Sequence, residues 1–373
     1  MAGSIRQRGK STWEVRVYVG VNPATAKERW ATRTVRGSKR AAQRALVELV
    51  GETVVSRRAR STVAALLEQW FSTASPAWAV STVRQVRSVL NHHLIPALGA
   101  IKVGELTTSQ IDAFYGDLGH EGLSAGTVRR VHGVLHAGLA QAQRWEWIWM
   151  NPAAHASPPR HVPNEIRPPS PADVALLIAK ASASDPAFGT YLRLAASTGA
   201  RRSQLLALRW EDIDLARGRI SFTRALVEGL DGPVLGPTKT RRAYQVSLDT
   251  ETTARIADHR QLVGGAADAF VFSHDANGAS PWKPNWVTKE FIRLRRDAGI
   301  PHCRLHDLRH FMATEMLAAG VAIPIVAARL SHARASTTLN VYAHAVPGGD
   351  RDAAEQIGAL LRDAVGSTDR PSR

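Results

Sequence analysis

The sequence predicts an α+β multidomain protein: a small β-sheet-plus-helix N-terminal domain, an all-α bundle, and a mainly helical third domain carrying a small antiparallel sheet. Three observations predict it. A chain of 373 residues is too long for one small core and suits two or three domains. The hydrophobic period changes from two to three or four once Ser38 is passed. Finally, NPAAHASPPRHVPNEIRPPSP is dense in proline and has no period, which reads as a semi-rigid linker ending near residue 168.

In the first segment, residues 1–57, TWEVRVYVG puts Trp13, Val15, Val17 and Val19 on one face and Glu14, Arg16 and Tyr18 on the other. That alternation is the strand period. RWATRTV supplies a second strand, VNPATAKE the turn between them, and Ser38 caps a helix whose Ala42, Ala45, Leu46 and Leu49 form an apolar stripe. Two- or three-stranded ribbons fit the major groove of DNA, so this arginine-rich module reads as a DNA-binding unit or as an ordinary α+β cap. After the basic hinge SRRARS, residues 61–158 hold four helical patterns, STVAALLEQWF, STVRQVRSVLNHHLIPAL, TTSQIDAFYGDL and SAGTVRRVHGVLHAGLAQAQRW, each with Ser or Thr near its start. Val128, Val131, Leu135 and Leu139 make one stripe of a bundle. Arg84, Arg87, Arg129 and Arg130 are candidates for phosphate contacts or for a solvated helix face. The third segment, residues 168–366, mixes helices with short strands, GRISFTRAL and YQVSL, and sets PTKTRR in the hairpin between them. Its last helix, RDAAEQIGALLRDAV, aligns Ala354, Ile357, Leu361 and Val365, a face that suits a neighbouring protomer or its own domain.

Charge narrows the function. The formal net charge is +16, and residues 1–60 contain 14 Lys/Arg against 4 Asp/Glu. Such an excess points to a polyanion, nucleic acid first. No apolar run approaches the roughly 20 residues that span a bilayer, and MAGSIRQRGK has no signal-peptide core, so a cytoplasmic protein without membrane partners is expected. The single cysteine, Cys303, cannot close an intramolecular disulfide, which fits a reducing compartment.

Several motifs are decoys. GLSAG matches a hydrolase elbow in letters, but a helix precedes it where that turn needs a strand, and Ser124 or Thr127 serves better as a helix cap. His302, His306 and His310 recur every four residues without HExxH or CxxC, and Pro301 starts any helix beyond His302. No Walker-type glycine loop occurs. Neither metal nor nucleotide cofactor is expected.

What remains is STGARRSQLLALRWEDID (197–214), RLHDLRHFMATEML (304–317) and LSHARASTTLNVYAHA (330–345). Tyr342, taken alone, is a packing residue, a hydrogen-bonding surface residue or a nucleophile. Together the blocks resemble the tyrosine recombinase (phage integrase) family of arm-binding type, nearest those of actinobacterial phages or mobile elements. The family's first arginine box is matched by Thr198, Gly199 and Arg201, its H-x-x-R box by His306 and Arg309, its L-G-H box by Leu330 and His332, its nucleophile by Tyr342 and its hairpin lysine by Lys239. Two departures stand out: Gln204 replaces a common glutamate, and Ser331 the usual glycine.

The resemblance implies a site-specific DNA recombinase working through a 3′-phosphotyrosyl intermediate. In it Arg201, Arg309 and His332 stabilise phosphorus-centred charge, Lys239 protonates the leaving 5′ oxygen, and His306 takes or relays the tyrosine proton. Arg202, Arg241 and Arg242 are expected on the phosphate backbone. The resemblance also implies arm-type DNA binding by residues 1–57, core-type binding by 61–158 and 168–366 as a clamp, and a homotetramer passing through a Holliday junction. An excision factor and a host DNA-bending protein are implied as partners. The alternatives are a type IB-like topoisomerase and a catalytically silent DNA-binding regulator.

Overall fold

The computed structural model describes residues 3–21, 28–58, 60–161, 167–238, 242–331, 354–355 and 357–361. It divides into two compact units, residues 1–163 and 164–373.

The first unit opens with a three-stranded antiparallel sheet of β1 (Gly3–Gly9), β2 (Thr12–Val21) and β3 (Glu28–Arg36), in that order. Strand β1, GSIRQRG, was not foreseen, because it has no apolar alternation to announce it. Helix α1 (Lys39–Arg58) lies across the sheet and buries Ala42, Ala45 and Leu49 against Val15 and Val17, all at most 7% exposed. It continues through Arg58, into what the sequence suggested was a hinge. On the opposite face of the sheet Arg6 pairs in register with Glu14, Ser4 with Arg16, and Arg16 with Thr32. There the Arg16 guanidinium lies 5.6 Å from the Trp30 ring, itself packed edge-on against Tyr18.

The bundle follows as α2 (Val63–Ala74), α3 (Val80–Val89), α4 (Ile95–Leu98), α5 (Thr108–His120) and α6 (Ala125–Arg144). Thr62, Thr107 and Ser124 cap α2, α5 and α6 through their side-chain oxygens, so Ser124 is a cap as expected. Between α3 and α4 the helix widens into a π-type turn, Leu90–Leu94, ahead of Pro96. Proline has no N–H to give and crowds the carbonyl four residues back, and widening absorbs this without breaking the helix. The stripe Val128, Val131, Leu135 and Leu139 is buried as the period required, at 1% exposure or less. Gly138 lets α6 approach α2, since a Cβ there would lie 2.5 Å from Leu67 Cδ2. The start of the proline-dense stretch belongs to this core: Ala153 is fully buried, Asn151 donates to His136 O, and the Ser157 amide donates to Asp112.

Arg87 corrects one expectation. Its Nη1 lies 2.6 Å from Glu68 and its guanidinium 3.9 Å from the centre of the Phe71 ring, so the side chain is already engaged within the bundle.

The second unit begins with α7 (Pro171–Ser184) and α8 (Pro186–Thr198), capped by Ser170 and Asp185. Helix α9 (Arg202–Leu205) is one turn long. Strands β4 (Ile213–Asp214), β5 (Arg219–Phe222), β6 (Arg224–Glu228), β7 (Pro233–Pro237) and β8 (Tyr244–Ser247) form two sheets, β4-β5-β8 and β6-β7. The sequence foresaw no β7, because PVLGP carries two prolines and a glycine. The PTKT segment therefore follows a separate hairpin, and Lys239 lies outside the described residues. Helices α10 (Thr250–Val263), α11 (Pro284–Asp297), α12 (Asp307–Ala318) and α13 (Ile323–Arg329) complete the unit around a core of Trp210, Trp282, Phe188, Tyr191, Phe272 and Phe291. Of the final helix, residues 354–355 and 357–361 are described, with Ile357 and Leu361 more than half exposed and Val365 outside.

Arg87→Ala is expected to destabilise the bundle by about 1–2 kcal/mol, the sum of a semi-exposed ion pair and a cation–π contact, while leaving DNA affinity unchanged. Chemical denaturation and a binding titration check both halves.

Candidate active site

Helix α8 ends at Gly199, whose φ of +64° is left-handed. A Cβ at that position would overlap Met312 Cε and approach Leu330 Cδ2 to 3.2 Å, so glycine is required both by conformation and by space. Two residues on, Arg201 stands at the N-terminal end of α9, its side chain half-buried.

Arg309, in the first turn of α12, is only 4% exposed. Its Nη1 donates to Gly199 O and its Nη2 to Leu330 O, both at 2.6 Å. One guanidinium thus fastens three sequence blocks: the turn before Arg201, the helix after His306, and the residue preceding Ser331. The fork uses two of the five N–H donors of an arginine on these carbonyls.

His306 sits at the N-cap of α12, and Asp307 follows with its carboxylate held by Arg304 at 2.9 Å. His302 lies before the helix, so the three four-spaced histidines do not share a helical face. The His306 ring packs edge-on against His310 with centres 5.0 Å apart. The ring keeps an accessible edge, but the protein crowded beneath it, then His310, Arg309 and Arg201, push its pKa down to about 4. Near neutral pH it is an uncharged imidazole, able to accept a proton.

Arg201, His306 and Arg309 line one cleft of about 390 Å³, which Arg202 and Arg304 also border. Its lining contains no carboxylate among the described residues. Arg202, expected on the DNA backbone, instead donates to Pro284 O at 3.1 Å and to Thr288 Oγ1, tying α9 to α11. Lys239, His332 and Tyr342, together with Arg241, lie outside the described residues. The two departures from the family pattern acquire physical content here. Gln204 is 2% exposed, and its Oε1 accepts from the Arg201 amide at 3.0 Å and the Tyr244 hydroxyl at 3.1 Å. Ser331 has φ +50°, a conformation glycine adopts without strain. Tyr244 was not foreseen as part of the site: burial raises its pKa while Arg309 and Arg201 pull it back, so the hydroxyl lies in the field of both cations. Only its place soon after PTKTRR hinted at this.

The fold gathers Arg201, Arg304 and Arg309 from distant segments of the chain around one cleft. Residues 172–347 match the Phage integrase family and residues 62–119 the Phage integrase N-terminal SAM-like domain. The chain belongs to the phage integrase (tyrosine recombinase) family. It is 21% identical to the ICEBs1 integrase of Bacillus subtilis over 96% of this chain and 100% of that one. It is 22% identical to a tyrosine recombinase XerC-like protein of Caldanaerobacter subterraneus over 71% and 74%. The fold is similar to that of the Tn1549 transposon integrase solved with transposon right end DNA, at a TM-score of 0.69 and 19% identity over 80% of this chain and 99% of that one. A lambda integrase tetramer bound to a Holliday junction matches at 0.61 and 17% over 90% and 94%. The protein is therefore a site-specific recombinase, an enzyme that acts on DNA, and neither the topoisomerase nor the silent regulator is favoured.

Three predictions follow from this geometry. Gly199→Ala is expected to cost about 2–4 kcal/mol, from left-handed strain plus overpacking. The reciprocal Ser331→Gly is expected to stabilise by about 0.5–1 kcal/mol once the extra freedom of unfolded glycine is counted. Thermal melts check both. By NMR titration of the free protein, His306 is expected to stay neutral as pH falls to about 5 and to titrate near 4. Because its folded pKa lies below that of the unfolded chain, its contribution to stability is intact above about pH 6.5 and is lost as pH falls from there towards 4.

Proposed function

We propose that this recombinase integrates and excises the genome of a phage or mobile element, with Tyr342 as nucleophile. The phenolic oxygen attacks the scissile phosphorus, the P–O5′ bond breaks, and Lys239 gives a proton to the departing 5′ oxygen. The resulting 3′-phosphotyrosyl ester conserves the bond energy, so a 5′ hydroxyl of the partner strand completes the exchange without nucleotide hydrolysis. Arg201 and Arg309 stabilise the charge that grows on the nonbridging oxygens, assisted by His332. Neutral His306 receives or relays the proton from Tyr342.

The observation that carries this reading is the convergence of Arg201, His306 and Arg309, drawn from blocks about a hundred residues apart, on a cleft whose described lining bears no carboxylate. A phosphodiester is the ligand such a lining fits, and the family relationship supplies the chemistry. Each arginine can contribute on the scale of an oxyanion donor, roughly 2.7–4 kcal/mol in the transition state.

The same proposal assigns residues 1–57 to arm-type DNA, 61–158 and 168–366 to core-type DNA, and four protomers to two duplexes exchanging strands through a Holliday junction. The face of the N-terminal sheet turned away from α1, where Arg16 pairs between Ser4 and Thr32 and Arg6 opposite Glu14, supports the first assignment. The tetramer is proposed by kinship with the lambda integrase solved on such a junction. An excision factor and a host DNA-bending protein belong to the proposal as accessory partners. The setting is the host cytoplasm and nucleoid; among the described residues no helix is long and apolar enough to cross a membrane.

A suicide substrate nicked near the cleavage point tests it. Wild-type protein is expected to become covalently trapped on DNA. Tyr342→Phe should bind without trapping, and Arg201→Ala should trap roughly 10²–10³-fold more slowly. Equal trapping of the Phe variant would remove the nucleophile assignment.

A further inference from the structure

Tyr244 opens β8, where it pairs in register with Phe222 of β5 and stacks on its ring with centres 5.1 Å apart. Its hydroxyl donates to Gln204 Oε1, the atom that also accepts the Arg201 amide. In return the main-chain N–H of Gln204 donates to Arg201 O at 2.8 Å. Residues 40 apart in sequence, on a strand and on a one-turn helix, therefore meet on a single oxygen beside the first arginine.

The identity of residue 204 makes this oxygen critical. A glutamate would offer two equivalent carboxylate oxygens, and either could receive the Arg201 amide. Glutamine offers one acceptor and one donor group, and only the orientation with oxygen towards Arg201 is compatible with its N–H. Rotating the amide would set N–H against N–H. Gln204 is 2% exposed, and its Nε2 has no hydrogen-bond partner among the described residues, so the side chain is held at its oxygen end. The Tyr244 hydroxyl is the second donor that makes that end the favoured one.

We infer that Tyr244 is a positioning residue for recombination: its hydroxyl locks the Gln204 amide in the orientation that anchors the Arg201 main chain, and so fixes where the Arg201 guanidinium meets the phosphate. The inference rests on the recombinase reading above and deepens it. It gives β8, three residues beyond the segment containing Lys239, a direct line to Arg201. No bond is made or broken by Tyr244 itself, which retains its proton.

The test compares single-turnover trapping on the nicked core-site substrate, at saturating DNA, for the full chain and its variants. Tyr244→Phe keeps the ring stack and removes one hydroxyl. Its trapping rate is expected to fall about tenfold, the effect of one ordinary hydrogen bond, with the Kd for DNA within about twofold of wild type and the melting temperature little changed. In a Gln204→Glu background, where rotation of the side chain exchanges one oxygen for another, the same Tyr244→Phe change is expected to cost less than about twofold. A loss of packing would carry equally into both backgrounds, whereas a loss of amide orientation would not.

Trapping of Tyr244→Phe at the wild-type rate overturns the inference, and so does an equal loss in both backgrounds. Should Tyr244→Phe fail to fold, Gln204→Met decides: it removes the acceptor while keeping the volume, and wild-type trapping by that variant overturns the inference as well. If wild-type protein is itself not trapped, the recombinase reading fails and takes this one with it; if wild type is trapped and the variants behave alike, only the role of Tyr244 falls.

Discussion

The second unit depends on the buried guanidinium of Arg309. Removing an arginine from water costs several kcal/mol, and the cost is met only where its hydrogens find good acceptors. Here two of them find the carbonyls of Gly199 and Leu330. The first lies just past the end of α8, where the last carbonyls of a helix lack intrahelical partners and carry its negative pole. Arg329 uses the same resource, donating from Nη2 to Ser197 O at 2.9 Å and to Ser247 O at 3.0 Å. Two arginines, from α12 and α13, are thus seated on the C-terminal carbonyls of α8, and the turn carrying Arg201 leaves from that point. A lysine could supply the charge but not the planar fork that spans two carbonyls at once.

Clustering cations without a carboxylate in the described cleft costs stability, and the protein distributes that cost. His306 answers by staying neutral, its pKa pushed down by burial, by His310 and by the two arginines. Gln204 answers differently: a neutral amide keeps the hydrogen bond to Arg201 but supplies no compensating charge, which leaves the cleft one unit more positive than a glutamate would. On the function proposed above, a phosphodiester entering such a site meets donors already oriented, with their desolvation already met during folding. Preorganisation of this kind is the largest single contribution in many enzymes.

How much of this was legible in the sequence depends on the range of the interaction. The period-two and period-three patterns located β2, β3 and the bundle stripe, because each is decided by which face meets a core. Arg201, His306 and Arg309 were legible through the resemblance of their blocks to the family's motifs, and the structure brings the three to one cleft. Strand β1 was not legible, since its residues are polar and it exists by pairing with β2. Arg87 was misplaced because a charge pattern does not reveal that Glu68 and Phe71 lie within reach. Tyr244 escaped for the same reason: its partner is 40 residues away and is set by how β8 meets α9.

The distribution of charge separates two tasks that a single net value conceals. Residues 1–60, with 14 Lys/Arg against 4 Asp/Glu, generate a field that attracts any duplex, and affinity drawn from such a field weakens steeply with salt through counterion release. The cleft arginines contribute little to that field, because Arg309 is buried and Arg202 is spent on Pro284 and Thr288. Their work is local and short-ranged, in a place where ions screen it much less. Salt should therefore act on how often the enzyme engages DNA and much less on how fast a bound phosphate reacts. The Gly199–Arg309–Leu330 clamp holds those local contacts in register whatever the N-terminal field does.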